Sequence, residues 1–306
     1  MDRLIIGIDI GGTRTKIGLV DLKAGEVIGL LVEPTEKESA SLFESKIDAA
    51  IRELMARAKA DNKKVEGIGF GVPSFVWADG TVDSTYGFLK FMEDYPLVKI
   101  IEEKFKIACR VDNDARTVAL GEALFGQGKG YARMLMLTLG TGLGMGFTHQ
   151  GKLPESLPYG HMGGHITITD NEVVCYCGKT GCLESLVSAT GLLAAARRSG
   201  MDSDNDVSFS TERILEAVNQ GQPVAQAVVK QYLAYLKTGI DNYINIYSPD
   251  IIVLGGGLAK GLRNYLPALA EETLLRAYKN YRVKIVISEL EEQAGILGSA
   301  ALFMET

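Results

Sequence analysis

The chain has 306 residues, 46% apolar and 23% charged, with a net charge of −6; this is the balance of a globular enzyme, long enough for two domains or one duplicated one. The acidic balance sets aside nucleic acid as a main partner, because phosphate backbones attract basic surfaces. No stretch approaches the roughly 20 apolar residues of a membrane span, and Met1 leads straight into apolar sequence without a signal-peptide cleavage site, so a cytoplasmic protein with no membrane partner is expected.

In chain order, the first feature is a strand, a Gly/Thr turn and a second strand, Leu4–Asp21, followed by a further turn at Gly25. The same grammar returns in Met134–Phe147, with its further turn at Gly151. Two copies of one hairpin point to two similar domains facing each other. Between them, apolar residues at Leu42, Ile47, Ile51, Leu54 and Ala58 predict a helix over Ser39–Asp61. A glycine-broken strand Val65–Val72, a helix Pro96–Phe105 and a strand Ile107–Val111 follow. A helix Ala115–Phe125 is then capped by Asn113 or Asp114. After the second hairpin come an irregular Gly- and Cys-rich stretch, Gly160–Cys182, and helices at Ala189–Arg198, Thr211–Asn219 and Gln222–Tyr247, with Met201–Ser210 a polar loop. A strand Asp250–Leu254 runs into Gly255-Gly256-Gly257, then a helix, a strand Val283–Ile287 and a last helix Ala294–Phe303. Strands alternating with helices make the chain α/β.

Several of these segments carry chemistry. Gly11-Gly12-Thr13 is not a dinucleotide fingerprint, which must open a helix; Thr15–Val20 returns as a strand. What remains is a turn whose N–H groups and hydroxyls can hold phosphate oxygens, or a plain hairpin. Its counterpart Gly140-Thr141-Gly142 favours a two-turn phosphate clamp over the plain hairpin. Asp9 ends its strand where a carboxylate can hold Mg²⁺ directly or through water. Asp114 suits either a helix cap or a general base that takes a proton from a hydroxyl attacking a γ-phosphate. His165, Cys175, Cys177 and Cys182 supply one imidazole and three thiolates, the ligand set of a closed, structural zinc site; the spacing is unlike a zinc finger, so a redox pair is the alternative. Cys109 reads as a buried core residue. The three bare glycines at 255–257 let a flat group such as an adenine or ribose approach, or simply close a turn.

Together these pieces resemble the ROK family of sugar kinases and repressors over nearly the whole chain. Ile8–Thr13 and Leu139–Gly144 resemble its two phosphate motifs, and Val111–Asp114 with Ala119–Glu122 its catalytic segment. Cys175-Tyr-Cys-Gly-Lys-Thr-Gly-Cys-Leu-Glu184 is similar to its CxCGxxGCxE signature, Ile252–Gly257 to its adenosine motif and Gly298–Ala301 to its closing helix. The resemblance implies an actin/hexokinase-like (ribonuclease H-like) duplicated two-domain fold with a central cleft. The first domain would span 1–113 plus 294–306 and the second 114–293. It implies an ATP-dependent sugar kinase, glucokinase-like, with Asp114 as base and Asn113, Glu184 and His165 at the sugar, together with Ser74. The nucleotide and its Mg²⁺ would be held by Asp9, Gly11, Gly12, Thr13, Thr15, Lys16, Thr138, Gly140, Thr141, Gly142, Gly255, Gly256 and Gly257. ATP and a sugar are the implied small molecules, and a homodimer fits the family and the base rate for closed assemblies.

Two departures bear on the substrate. The family's Glu-x-Gly-His is here Met162-Gly163-Gly164-His165, so a sugar-gripping carboxylate is missing; His161 either stands in for it or is an ordinary loop residue. The family's Asn-Leu segment is Tyr86-Gly87-Phe88-Leu89. These changes leave the kinase class in place and the sugar open. They also admit one rival, a catalytically silent sugar-binding protein; the family's repressors supply another, a sugar-responsive repressor, which the acidic charge disfavours.

Overall fold

The computed structural model describes residues 3–84, 87–155, 159–202, 208–272 and 281–304. Tyr86 and residues 203–207 of the polar loop lie outside them. The chain forms two compact units: Met1–Gly130 with Gly146–His161 and Glu289–Thr306, and Tyr131–Met145 with Met162–Ser288.

In the first unit β1 (Leu4–Ile10), β2 (Arg14–Asp21) and β3 (Glu26–Pro34) form an antiparallel meander. The third strand was not legible beyond the turn at Gly25, because only alternate residues of it are half-buried. Helix α1 (Ala40–Ala60) is capped by the Ser39 hydroxyl, which accepts from the Leu42 N–H. Its inward face is the one expected, save that Phe43 is buried where Leu42 is 47% exposed. Strand β4 (Val65–Val72) pairs parallel with β1. The short β5 (Phe75–Val76) and β6 (Val82–Asp83) make a separate ribbon. Helix α2 (Leu97–Phe105) and strand β7 (Ala108–Asn113) follow, and α3 (Asp114–Phe125) is capped by Asn113. The sheet order is β3-β2-β1-β4-β7.

Residues of β1 alternate between two cores. Leu4, Ile6, Ile8 and Ile10 join the α1 and α2 side, whereas Ile5 joins Ile296, Leu297, Ala300 and Phe303. Those last residues belong to the C-terminal segment, helix α9 (Ala294–Ala301) and the turn after it, every residue of the helix being buried. The helix lies against bare backbone: a Cβ on Gly69 would sit 1.9 Å from the Ser299 carbonyl oxygen, and one on Gly298 would sit 1.7 Å from that of Thr117. Helix α3 therefore packs on α9 within the first unit, although the boundary read from the sequence at residue 113 divides them.

The second unit repeats the sheet in shorter form. Strands β8 (Arg133–Leu139) and β9 (Leu143–His149) make the second hairpin, with β9 passing into first-unit residues at Gly146. Helices α4 (Leu183–Val187), α5 (Ala189–Arg198), α6 (Thr211–Asn219) and α7 (Pro223–Tyr247) precede β10 (Ile251–Gly255), α8 (Leu266–Glu272) and β11 (Lys284–Ile287). The sheet order is β11-β10-β8-β9, with β10 parallel to both neighbours. Strand β10 is buried throughout, as a central parallel strand covered on both faces must be. Among the described residues, no helix is long and apolar enough to cross a membrane.

Candidate active site

In the first unit the β1–β2 register sets Asp9 opposite Lys16. The Lys16 ammonium lies 3.6 Å from the Asp9 carboxylate and 3.9 Å from Glu292, which also accepts from Arg14 at 2.7 Å. Asp9 is on the α9 side of β1, and a Cβ on Gly295 would meet its carboxyl carbon at 2.5 Å. Only a glycine at the start of α9 admits the carboxylate. Burial, opposed by Lys16 and reinforced by Glu292, raises the Asp9 pKa above the ordinary carboxylate value.

The turn Gly11-Gly12-Thr13 is closed by the Gly11 N–H donating to the Arg14 carbonyl at 3.1 Å. Behind it, the Thr35 hydroxyl donates to the Gly11 carbonyl at 2.7 Å and shares a 3.0 Å bond with Thr15. Thr15 is 3% exposed, so its hydroxyl braces the turn. Thr35, at the end of β3, was missed because the strand that delivers it was missed.

Strand β7 ends beside β4, pairing Asn113 with Val72. The Asn113 carbonyl oxygen accepts from the Ala115 and Arg116 N–H groups, and its amide donates to the Val72 and Ser74 carbonyls at 3.4 and 3.3 Å. All four hydrogen-bonding positions of an asparagine side chain are thereby engaged; in this geometry Asn113 positions its neighbours. Asp114, the first residue of α3, accepts from the Ala115 N–H at 2.8 Å. Burial, and then the charge of Asp9, push its pKa up to about 7. Two carboxylates short of positive charge suit a bound cation. Ser74 is buried, and its hydroxyl has no hydrogen-bond partner among the described residues. His161 sits in an aromatic cluster with Phe75 and Tyr159.

In the second unit, the turn Gly140-Thr141-Gly142 is held from behind by α5: the Ala189 N–H donates to the Gly140 carbonyl and the Thr190 hydroxyl to that of Thr141, each at 2.8 Å. Thr138, one residue before the end of β8, pairs with Gly255. Gly256 has φ of 85° and turns the chain back on β8, where a Cβ would lie 2.5 Å from the Leu139 carbonyl oxygen. A Cβ on Gly257 would meet nothing within 4 Å, so its backbone is open to a flat ligand.

The Gly- and Cys-rich stretch gathers four candidate metal ligands. The ligand atoms of His165, Cys175, Cys177 and Cys182 all lie within 4.8 Å of one another. Cys177 Sγ is 3.7 Å from Cys182 Sγ, and Cys175 Sγ is 3.5 Å from His165 Nδ1. A tetrahedral zinc with bonds of about 2.3 Å to sulfur needs edges of about 3.8 Å, so the residues fit the ion. Cys182 is the residue before α4, and α4 carries Glu184. The helix is fixed further by the Tyr232 hydroxyl donating to the Val187 carbonyl at 2.9 Å. Glu184 lies behind the second turn, where a Cβ on Gly142 would meet its carboxylate at 3.1 Å. Burial pushes its pKa up to about 7, against a hydrogen bond from Leu143. His165 Nε2 lies 4.0 Å from that carboxylate and 3.0 Å from the Tyr176 hydroxyl.

The ROK family model matches residues 5–306. A glucokinase from Halalkalibacterium halodurans is 32% identical, covering 98% of this chain and 95% of the relative. A xylose repressor from Caldicellulosiruptor bescii is 29% identical over 97% of this chain and 77% of its own length. The structure of a ROK family glucokinase from Streptomyces griseus in complex with glucose and AMPPNP superposes with a TM-score of 0.80 at 25% identity, covering 98% of each chain. The fold is thus the actin/hexokinase fold expected from the sequence, and the chain belongs to the ROK family.

Proposed function

We propose that this protein is an ATP-dependent sugar kinase. The sugar hydroxyl oxygen bonds to the γ-phosphorus of ATP, the bond from that phosphorus to the β–γ bridging oxygen breaks, and ADP leaves with the bridging oxygen. Asp114 takes the hydroxyl proton. A carboxylate with a pKa of about 7 is basic enough to accept that proton and still ionised near neutrality, the compromise that general-base catalysis favours. The placement of that carboxylate, at the first residue of α3 where β7 ends, carries the reading.

The other residues hold, orient and neutralise. The N–H groups of Gly12 and Thr13 and of Thr141 and Gly142 face phosphate oxygens, while those of Gly11 and Gly140 close their own turns, with Lys16 adding a positive charge. The open backbone at Gly257, turned by Gly256, takes the adenosine. Glu184 and His161 bind sugar hydroxyls, and Asn113 fixes the start of α3 so that Asp114 is presented in one rotamer. Asp9 would hold Mg²⁺, which supplies charge neutralisation on the transferring phosphoryl. His165, Cys175, Cys177 and Cys182 would hold a structural zinc, which fixes the start of α4 and with it Glu184. A cytoplasmic homodimer completes the proposal.

The repressor relative favours a second reading, sugar sensing without transfer. Such a protein needs the sugar carboxylate but no base, and here Asp114 is present with its pKa raised into the working range. A coupled ADP-release assay with ATP-Mg²⁺ across hexoses, amino sugars, N-acetylated sugars and glycosides separates the two. Sugar-dependent release that disappears in Asp114→Asn is expected; sugar binding without release from the wild-type protein would establish the sensor.

A further inference from the structure

Trp77 and Tyr159 are 43% and 46% exposed, an unusual state for large rings on a soluble surface. They are neighbours: their centroids lie 6.4 Å apart at 80°. Phe75 stands edge-on to Tyr159 at 5.6 Å and to His161 at 5.2 Å. Four rings therefore form one shelf, all within the first unit.

The shelf is rigid. The Trp77 N–H donates to the Thr81 carbonyl and the Gly80 N–H to that of Trp77, each at 2.9 Å, which closes the β5–β6 turn. The same ribbon is tied to Tyr95 by two further backbone bonds through Val82. An aromatic surface already fixed in place binds at little entropic cost.

The shelf is also close to the catalytic strand ends. It begins one residue after Ser74, whose carbonyl accepts from Asn113, the cap that presents Asp114. Trp77 follows Ser74 by three residues, a chain reach of at most roughly 11 Å. The Trp77 backbone therefore lies within about 11 Å of the Ser74 that accepts from the cap of α3, a span that a two-ring ligand can bridge. Sugar rings present C–H faces to the electron-rich face of an aromatic ring, and pockets for them combine such faces with few polar groups.

We infer that the shelf is a subsite for a second ring, so that the preferred substrate is a disaccharide or an aryl glycoside. One sugar ring presents its hydroxyl to Asp114 while the other ring stacks on Trp77 and Tyr159. This inference rests on the sugar-kinase reading for the reaction, but not for the binding.

Trp77 is the chain's single tryptophan, so its fluorescence reports the shelf directly in the unaltered protein. Glucose, cellobiose, maltose and phenyl β-glucoside would be titrated while that emission is followed, and kcat/KM measured for each by ADP release. Two-ring compounds should shift or quench the emission where glucose does not, and at least one should exceed glucose at least tenfold in kcat/KM. Trp77→Ala should reduce that ratio at least fivefold through KM, and Trp77→Phe should restore most of it. Emission unmoved by every two-ring compound, or equal losses for one-ring and two-ring sugars in Trp77→Ala, would overturn the subsite. The two readings fail separately: a Trp77 response without ADP release leaves the subsite and removes the kinase, whereas glucose turnover with a silent Trp77 does the reverse.

Discussion

The two units are built on one plan and differ in what stands at matching places. Strands β1, β2, β4 and β7 of the first occur in the same order as β8, β9, β10 and β11 of the second. Both hairpins carry a three-residue turn, 11–13 and 140–142. At the place before the turn, the first unit has Asp9 and the second Thr138. After the next strand, the first unit has Pro73-Ser74 and the aromatic ribbon, and the second has the tight glycine at 256 and the open one at 257. At the end of the last strand, the first has Asn113-Asp114 and the second Ile287-Ser288. A hairpin and a parallel sheet thus supply phosphate-sized turns twice, while the residues at the strand ends divide the work. On the proposed reading, the first unit carries charge and the base; the second carries an uncharged turn, the sugar carboxylate and the candidate metal ligands. The supports differ as well. The first turn is braced by a half-buried Thr35, which follows a strand the second unit lacks, and the second turn by an exposed bond from Thr190.

The sharpest way to break this division is Asp114→Asn. The substitution keeps the shape and removes the basicity, so kcat should fall by about 10²- to 10⁴-fold with nucleotide affinity retained, measured by steady-state kinetics and calorimetry. Near-normal turnover would return the base to some other residue.

The metal cluster comes next. Cys177→Ala should cost about 3–5 kcal/mol in the second unit, since a structural ion contributes to folding directly. The loss should appear as a lower Tm and early proteolysis within Gly160–Glu184. Elemental analysis should find one zinc per chain in protein purified without chelators, and none would remove the cluster from its role.

The pH dependence belongs to the first unit. Asp114 has its pKa raised from 3.8 to about 7, so kcat/KM should fall about tenfold per pH unit below 7. Stability should move the other way. The folded state binds this proton more tightly than the unfolded chain, so the contribution is full below pH 4 and is lost as pH rises through 7, by at most about 4 kcal/mol. Asp114→Asn should therefore melt higher than wild type at pH 8, with the difference vanishing near pH 4. An unchanged gap across that range would show that the carboxyl is not perturbed.

The smallest effect compares the two turn supports. Thr35→Val removes a half-buried hydroxyl holding two partners and should cost about 1–2 kcal/mol and raise KM for ATP. Thr190→Val removes an exposed bond and should cost at most about 0.5 kcal/mol. Equal losses would mean that the two turns are supported alike.

Local pattern carried much of this molecule into view. Ala189–Arg198 and Thr211–Asn219 have the bounds that their periodicity and flanking residues imply, because capping and amphipathic spacing are written in adjacent residues. The two hairpins, the acid at a strand end and the crowded cysteines were visible for the same reason. What was not visible depends on contact between distant segments. Ser39–Asp61 read as a helix, but which of Leu42 and Phe43 faces the sheet was decided by packing. Gly295 is required because α9, near the chain's end, returns to lie on Asp9. Glu292 reaches Lys16 by the same return. Asn113 and Asp114 were equally good caps by composition; burial and the carbonyls of Val72 and Ser74 made Asn113 the cap and left Asp114 for chemistry. Trp77 and Tyr159 are far apart in the chain and became a shelf only when the ribbon after β4 met the segment after β9. The sequence determined the elements and the reactive residue types, which follow from neighbours along the chain. The tertiary structure decided which of them meet and which stay exposed, and that sets the pKa of the base and the candidate second-ring site.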